Sequence, residues 1–170
     1  MQISSIYDTQ FKQWKSRLTE LLDFLRQYGE RRITLHGCRV LAELTPDQLA
    51  LPGVSLLVAT VRGQNGRQLA GVSFVSNFGK ETCLVAVHPL YRSKHIGTAL
   101  LAAHLERLGA LECCVACDDI ASLKMCFNAG LAAVALTTSP KPTLLLRALQ
   151  STMSPTISPQ EGELLCHSPS

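Results

Sequence analysis

The chain has few charged residues and no long apolar run, and each absence excludes a class of protein. Only 17% of its 170 residues are charged and the net charge is +3, so the basic excess of a nucleic-acid-binding protein is missing. No apolar run reaches the roughly 20 residues that a membrane-spanning helix needs, and the first residues show no signal-peptide pattern. We therefore expect a globular cytoplasmic protein that binds neither membrane nor nucleic acid.

The sequence also lacks an even set of cysteines. Seven are present, and an odd number without a secretion signal argues against a disulfide framework. Cys113, Cys114 and Cys117 share one apolar run. Because adjacent residues of a strand face opposite ways, this spacing does not suit a zinc site. We expect reduced thiols that fill space as small hydrophobic side chains, and no bound metal.

Proline and serine are concentrated at the end of the sequence, and this divides the chain. Residues 151–170 contain three Ser-Pro steps among polar residues, which predicts a disordered tail. Residues 1–150 have the length of one domain with a sizeable core. The sequence shows no internal repeats.

Hydrophobic periodicity predicts the elements of this domain. Helices are expected at residues 9–28, 95–108 and 119–129, with a helical turn at 45–49. Strands are expected at residues 55–62, 68–77, 82–87, 111–117, 131–136 and 143–149. Residues 33–41 read as a strand or an irregular segment. This order predicts an α/β domain with a mixed sheet and helices on both faces.

The most informative stretch follows the predicted strand at 82–87. The strand ends at Val87, Pro89 stops it, and a basic loop with Arg92 and Lys94 precedes a helix that contains Gly97. The first N–H groups of a helix have no partners within the helix and lie at its positive end. The loop therefore predicts an anion site, with phosphate or pyrophosphate as the expected ligand.

The order of these residues resembles the acyl-CoA-binding motif of the GNAT superfamily of N-acetyltransferases. In that family a strand ends in Val-x-Pro-x-Tyr/Phe, followed by Arg/Gln-x-x-Gly-x-Gly/Ala and a helix. Residues 87–91 match the first part, and residues 92–97 match the second with one departure. His95 replaces the first glycine of the family motif, and its Cβ narrows the space beside a bound pyrophosphate.

A second block, residues 118–131, resembles Asn-x-x-Ser/Ala-x-x-x-Tyr-x-x-x-Gly-Phe of the same family. Asp119 stands at the Asn position, Ser122 at the small residue, Gly130 at the glycine and Leu131 at the Phe. Cys126 occupies the position where many members carry a Tyr that donates a proton to the departing thiolate. The two blocks cover about residues 81–131, and elsewhere only the order of elements is similar.

The resemblance implies a GNAT-like fold, with a central and mostly antiparallel sheet, and an activity. The implied reaction transfers an acetyl group from acetyl-CoA to a primary amine of a small-molecule or protein acceptor. GNAT domains often dimerise through their closing strands, so a homodimer is also open. The residues implied to bind acetyl-CoA are Val85, Ala86, Val87, Arg92, Ser93, Lys94, His95, Ile96, Gly97, Thr98, Asp119 and Ser122.

The base that deprotonates the amine is the least defined part of the prediction. Glu81 lies six residues before Val87, and this placement resembles the catalytic glutamate of the histone-acetylating members. The competing interpretation is a solvated carboxylate beside Lys80. His88 and His95 also titrate near neutral pH, but each reads more simply as a loop residue.

Two other functions remain open. A catalytically silent GNAT fold that binds CoA or a protein partner would explain the departures at His95, Asp119 and Cys126. In a nucleotide- or phosphate-binding regulator unrelated to CoA, the long first helix and Arg31, Arg32 and Arg39 would contact RNA or a partner. The second block argues against the regulator, because a generic phosphate site does not need it.

Overall fold

The fold consists of two antiparallel sheets and four helices within the residues that the computed structural model describes, which are 1–6, 11–29, 33–63 and 66–149. The first sheet has the order β1-β2-β3-β4 and contains Gln2–Ser5 (β1), Ser55–Gly63 (β2), Gly66–Ser76 (β3) and Thr82–Val87 (β4). The second has the order β5-β7-β6 and contains Ala110–Ala116 (β5), Ala132–Thr137 (β6) and Thr143–Leu149 (β7). The helices are Phe11–Tyr28 (α1), Leu35–Ala42 (α2), Ile96–Leu108 (α3) and Ile120–Asn128 (α4).

Helices cover both faces of the first sheet, as the sequence predicts, and one face of the second. On one face α1 and α2 pack on β2, β3 and β4, and Trp14 donates from its indole Nε1 to Leu44 O at 3.0 Å. On the other face α3 and α4 pack on both sheets through two further apolar clusters. None of the helices in the described residues is long and apolar enough to cross a membrane.

The segment at 33–41 is a correction, because it contains the helix α2 rather than a strand. Thr34 caps it, since its Oγ1 accepts a hydrogen bond from Gly37 N at 3.0 Å. β1 is an element that the sequence patterns do not predict. It is a short edge strand of mostly exposed residues, and it is held by its ladder with Ser5↔Leu57 and its neighbours on β2.

The expected single mixed sheet is in fact two sheets that meet beside β4 and β5. No ladder joins β4 to β5 in the described chain. The two sheets touch through the turn Asn77–Gly79, where Gly79 (φ +90°) packs against the backbone of Glu112 at the start of β5. The edge of β4 that faces β5 is therefore not covered by a strand.

The other predicted elements are confirmed to within a residue or two at their ends, apart from the parts at residues 9–10 and 64–65 that lie outside the described residues. The predicted tail at 151–170 and the basic pair Arg31 and Arg32 also lie outside them. The described cysteines are all free thiols, although Cys114 is exposed rather than packed in the core.

Candidate active site

The predicted anion loop joins the end of β4 to the start of α3. After the turn Pro89–Tyr91, the backbone passes through two left-handed residues, Ser93 (φ 61°) and His95 (φ 58°). Glycine adopts this conformation freely, whereas a residue with a Cβ does so at a cost. His95 therefore keeps the backbone geometry of the glycine that it replaces in the motif, and its side chain is exposed to solvent.

The N-terminus of α3 is open to a ligand. His95 is the N-cap residue and its side chain makes no capping hydrogen bond. The hydrogen bond from Ala99 N to His95 O, at 2.9 Å, is the first of the helix ladder. The N–H groups of Ile96, Gly97 and Thr98 therefore have no partner within the helix, and they point out of its positive end.

The free edge of β4 lies next to this helix end. His88 N donates to Ala70 O at 2.9 Å, so the N–H of residue 88 faces β3. Backbone groups alternate between the two edges of an antiparallel strand. Those of Val85 and Val87 therefore face away from β3, on the side of β5. An extended ligand can pair with this edge in the manner of an added strand.

Arg92 fastens the loop to the first helix. Its guanidinium donates to Val87 O through Nε at 3.4 Å and to Tyr28 O through Nη2 at 3.2 Å. These contacts reach across 64 residues of sequence to the last residue of α1. If Arg92 binds phosphate as predicted, its guanidinium has to do so while it also holds the loop against α1. Lys94 lies 5.3 Å from the centroid of the Tyr91 ring and is exposed.

A row of three rings supports the same loop, and no sequence pattern predicts this row. The His88 ring lies between Tyr28, at 4.6 Å, and Tyr91, at 5.6 Å between centroids. His88 Nδ1 accepts from Leu90 N at 3.2 Å, so this ring caps the turn, as its interpretation as a loop residue predicts. The only sequence signal for the row is the aromatic residue that ends α1.

The second sequence block lies beside the first. Asp119 caps α4, because its Oδ1 accepts from Ser122 N at 3.1 Å. Gly97 lies against Met125, and a Cβ at residue 97 would collide with the thioether sulfur. The two blocks that resemble one family are thus brought into contact at the start of α3, although they are separated in sequence.

Glu81 lies at the opposite end of β4 from the loop. Six residues of extended strand place it about 20 Å along the chain from Val87. Its carboxylate is exposed and accepts a hydrogen bond from the Ser76 hydroxyl at 2.8 Å. The structure therefore places Glu81 one residue before the strand that carries the predicted cofactor edge, and not beside the anion loop.

Solved structures of several N-acetyltransferases have the same architecture. A variant of spermidine N-acetyltransferase SpeG from Vibrio cholerae matches with a TM-score of 0.58 at 12% identity, covering 89% of this chain and 96% of that one. The ribosomal-protein-S18-alanine N-acetyltransferase from Escherichia coli gives 0.59 at 14% identity, covering 92% and 98%. Aminoglycoside acetyltransferase AAC(6')-Ib, in complex with coenzyme A and kanamycin, gives 0.55 at 17% identity, covering 87% and 94%.

These matches confirm the predicted architecture. The chain has the GNAT fold. No family model and no curated protein matches the sequence. At such low identities the likeness concerns the fold, so the chemistry has to be argued from the residues themselves.

Cys126 occupies the position of the GNAT proton donor, but its surroundings are those of a core residue. It is 2% exposed, and its thiol lies 3.8 Å from that of Cys113. The hydrogen bond with Cys113 raises the pKa of Cys126, and burial raises it further. This thiol holds its proton too tightly to serve as an efficient acid near neutral pH. Among the described residues, no three His, Cys, Asp or Glu side chains are arranged so that they could hold a metal ion.

Proposed function

We propose that the chain is an acetyl-CoA-dependent N-acetyltransferase that acts on a primary amine. The observation that carries this proposal is the meeting of the β4 edge that no described strand covers with the N-terminus of α3, which no side chain caps. The strand edge suits an extended arm that carries amides, and the helix N-terminus suits a pyrophosphate. Coenzyme A carries both. SpeG, AAC(6')-Ib and the S18 enzyme are acetyltransferases on the same fold, which supports the assignment.

The binding residues are also proposed, with support from the geometry of the loop and the strand edge. The pyrophosphate is assigned to the N–H groups at the start of α3 and to Lys94, with Ser93 and His95 shaping the loop. The pantetheine arm is assigned to the outward backbone groups of residues 85–87, beside the capped α4 helix. Arg92 holds the loop against α1 and adds positive charge beside it.

The reaction requires a polarised thioester and a neutral amine. An outward N–H of Val85 or Val87 is proposed to donate to the acetyl oxygen and to stabilise the charge that develops there. Glu81 is proposed to take the proton of the ammonium through a chain of water molecules along β4, with Ser76 fixing its carboxylate. The departing thiolate is proposed to take its proton from solvent in the gap between the sheets, and not from Cys126.

The acceptor is proposed only as an amine, on a small molecule or a protein. Polyamine, aminoglycoside and protein acceptors all occur among the structural neighbours. A silent GNAT fold that binds CoA without turnover is the alternative, and the unusual residues His95 and Cys126 favour it. A homodimer is also proposed, through the fully exposed apolar edge strand β6.

Calorimetric titration with acetyl-CoA tests the cofactor site. We expect micromolar binding that weakens by about tenfold in Lys94→Ala, because a charge-assisted contact to phosphate is lost. Lys80→Ala is the matched control, since Lys80 is an exposed lysine at the other end of β4. Absence of binding to the unmodified chain would overturn the assignment of the cofactor.

Turnover is tested separately with a panel containing a polyamine, an aminoglycoside and a peptide with a free N-terminus. Mass spectrometry of the acetylated amine avoids interference from the protein thiols. Glu81→Gln is expected to lower the rate by about 10²- to 10⁴-fold while acetyl-CoA affinity stays unchanged. Tight acetyl-CoA binding with no acetylated product across the panel supports the silent fold instead.

A further inference from the structure

Three cysteines on three different elements meet under α4. Cys113 of β5 and Cys126 of α4 are 6% and 2% exposed, and their sulfur atoms lie 3.8 Å apart. Cys83 of β4 packs against the same apolar cluster. These residues are far apart in sequence, so the fold rather than a local motif brings them together. Neither the fold nor the proposed acetyl transfer requires three thiols at one place.

The thiols interact mainly with one another. Hydrogen bonding with the Cys126 thiol, and then with the Cys83 thiol, lowers the pKa of Cys113 against the opposing effect of burial. The same contacts raise the pKa of Cys83. Cys113 therefore has the most thiolate character of the three, and thiolate is the form that reacts with oxidants. A protonated thiol lies next to it.

We propose that Cys113 and Cys126 are a modification site at which peroxide forms a disulfide between β5 and α4. The sulfur atoms lie 3.8 Å apart and have to approach to about 2.05 Å for the bond to form. Cys113 is preferred over its neighbour Cys114, because consecutive strand residues face opposite ways and Cys114 is exposed on the other face. This inference is independent of the proposed function.

The chemistry balances with hydrogen peroxide as the oxidant. The Cys113 sulfur attacks one peroxide oxygen and becomes a sulfenic acid, while the other oxygen leaves as water. The Cys126 sulfur then attacks the sulfenic sulfur, forms the S–S bond and displaces a second water. Two thiols lose two electrons and two protons in total, and one peroxide is reduced to two waters.

The bond would join the helix that carries the second sequence block to the second sheet. The side chain of Asp119 caps the first turn of α4, whereas only backbone N–H groups of residues 129–131 close its last turn. A covalent link at Cys126, in its last turn, would secure the other end. We expect amide exchange in α4 to slow on oxidation while exchange in α1 stays unchanged.

The test starts from a Cys114→Ala/Cys117→Ala chain, so that the tryptic peptide of residues 108–124 keeps Cys113 as its single cysteine. The folded protein is treated with hydrogen peroxide, its remaining thiols are alkylated, and it is digested without reductant. We expect peptide 108–124 linked to peptide 125–147, with the mass of two hydrogens lost. The link should disappear after reduction and in Cys113→Ala.

The same chain oxidised in denaturant is the control, and it should give mixed pairings because the fold no longer selects partners. A native sample in which Cys113 and Cys126 stay alkylatable while Cys38 or Cys83 oxidises overturns the proposal. A Cys83–Cys113 link as the main product also overturns it. If Cys113→Ala fails to fold, simultaneous loss of alkylation at Cys113 and Cys126 in the unsubstituted chain decides the question.

Discussion

His104 lies on α3 with no solvent exposure, against β3 of the first sheet. Its Nε2 lies 2.9 Å from Ser73 Oγ, and that hydroxyl donates to Leu84 O at 2.9 Å. Since the hydroxyl proton is used in this way, the ring carries its proton on Nε2, and Nδ1 has no partner among the described residues. Burial lowers the pKa of His104 to about 3.

The buried His104 makes the free energy of unfolding depend on pH. The unfolded chain binds this proton near pH 6.5 and the folded chain only near pH 3, so the folded state is favoured fully above about 6.5. As the pH falls through that window, the free energy of unfolding should drop by about 1.4 kcal/mol per unit from this group. Urea unfolding of His104→Gln should show a flatter profile between pH 6 and about 4.

The exposed His36→Gln variant is the control for the His104 experiment, and its pH profile should follow that of the unsubstituted chain. Parallel profiles for His104→Gln and the parent chain would show that the pKa of His104 is not displaced. The substitution is the same in His104→Gln and His36→Gln, and only the burial of the replaced histidine differs.

His95 carries a second prediction at the same scale. Its left-handed φ of 58° costs about 1–2 kcal/mol for a residue with a Cβ, and glycine avoids most of this cost. His95→Gly should therefore raise the free energy of unfolding by about 1 kcal/mol and tighten acetyl-CoA binding. His95→Ala keeps the Cβ and removes the ring, so it should do neither. Thermal unfolding and calorimetry measure both effects.

At the scale of elements, the sequence predicted what depends on neighbouring residues and missed what depends on distant ones. The structure confirms the predicted amphipathic helix α1 and the predicted strand, loop and helix of residues 82–108. The β-branched residues Ile33, Thr34 and Val40 suggested a strand at 33–41, but the Thr34 cap and burial of Leu41 against the first sheet give a helix. β1 is a strand only because β2 pairs with it.

The candidate site shows the same division. The anion loop could be predicted, because a helix start follows a strand end within a few residues. The hydrogen bond from Arg92 to Tyr28 O could not be predicted, because no sequence pattern marks a backbone carbonyl 64 residues away as an acceptor. Likewise, nothing in the sequence separates Cys126 as a core thiol from Cys126 as a proton donor. Only its contact with Cys113 does so.

The contact between α1 and the loop leads to a prediction for Arg92→Ala. Losing its hydrogen bonds to Tyr28 O and Val87 O should cost about 1 kcal/mol of stability, since both are exposed. It should also speed amide exchange at the end of α1 and weaken acetyl-CoA binding. Arg26→Ala is the control, because Arg26 lies on the same helix with an exposed ion pair of 3.6 Å to Asp23. Equal exchange rates in the two variants would contradict the Arg92 contact.

At the scale of the molecule, the two sheets are joined by a turn rather than by a shared ladder. Gly79 of that turn has φ +90°, and a Cβ there would collide with Glu112 O of β5. Gly109 has a comparable φ of +75° with open space around it. The two glycines therefore have the same backbone requirement, but only one lies between the sheets.

Substituting alanine at each position separates the two effects. Gly109→Ala should lower the free energy of unfolding by about 1 kcal/mol, from the backbone alone. Gly79→Ala should lower it by about 3 kcal/mol, because the two sheets also have to move apart. Denaturant unfolding gives both values. Equal losses would mean that the sheets separate freely at this turn.

The order β5-β7-β6 has a consequence for how the chain is made. The strand in the middle of the second sheet is the last of the three in sequence, so β5 and β6 emerge from the ribosome before the strand that pairs with both. During that interval the apolar strand β6 is available to other nascent chains. The rate of synthesis through residues 132–149 should therefore affect the yield of folded protein, while the first sheet is already complete.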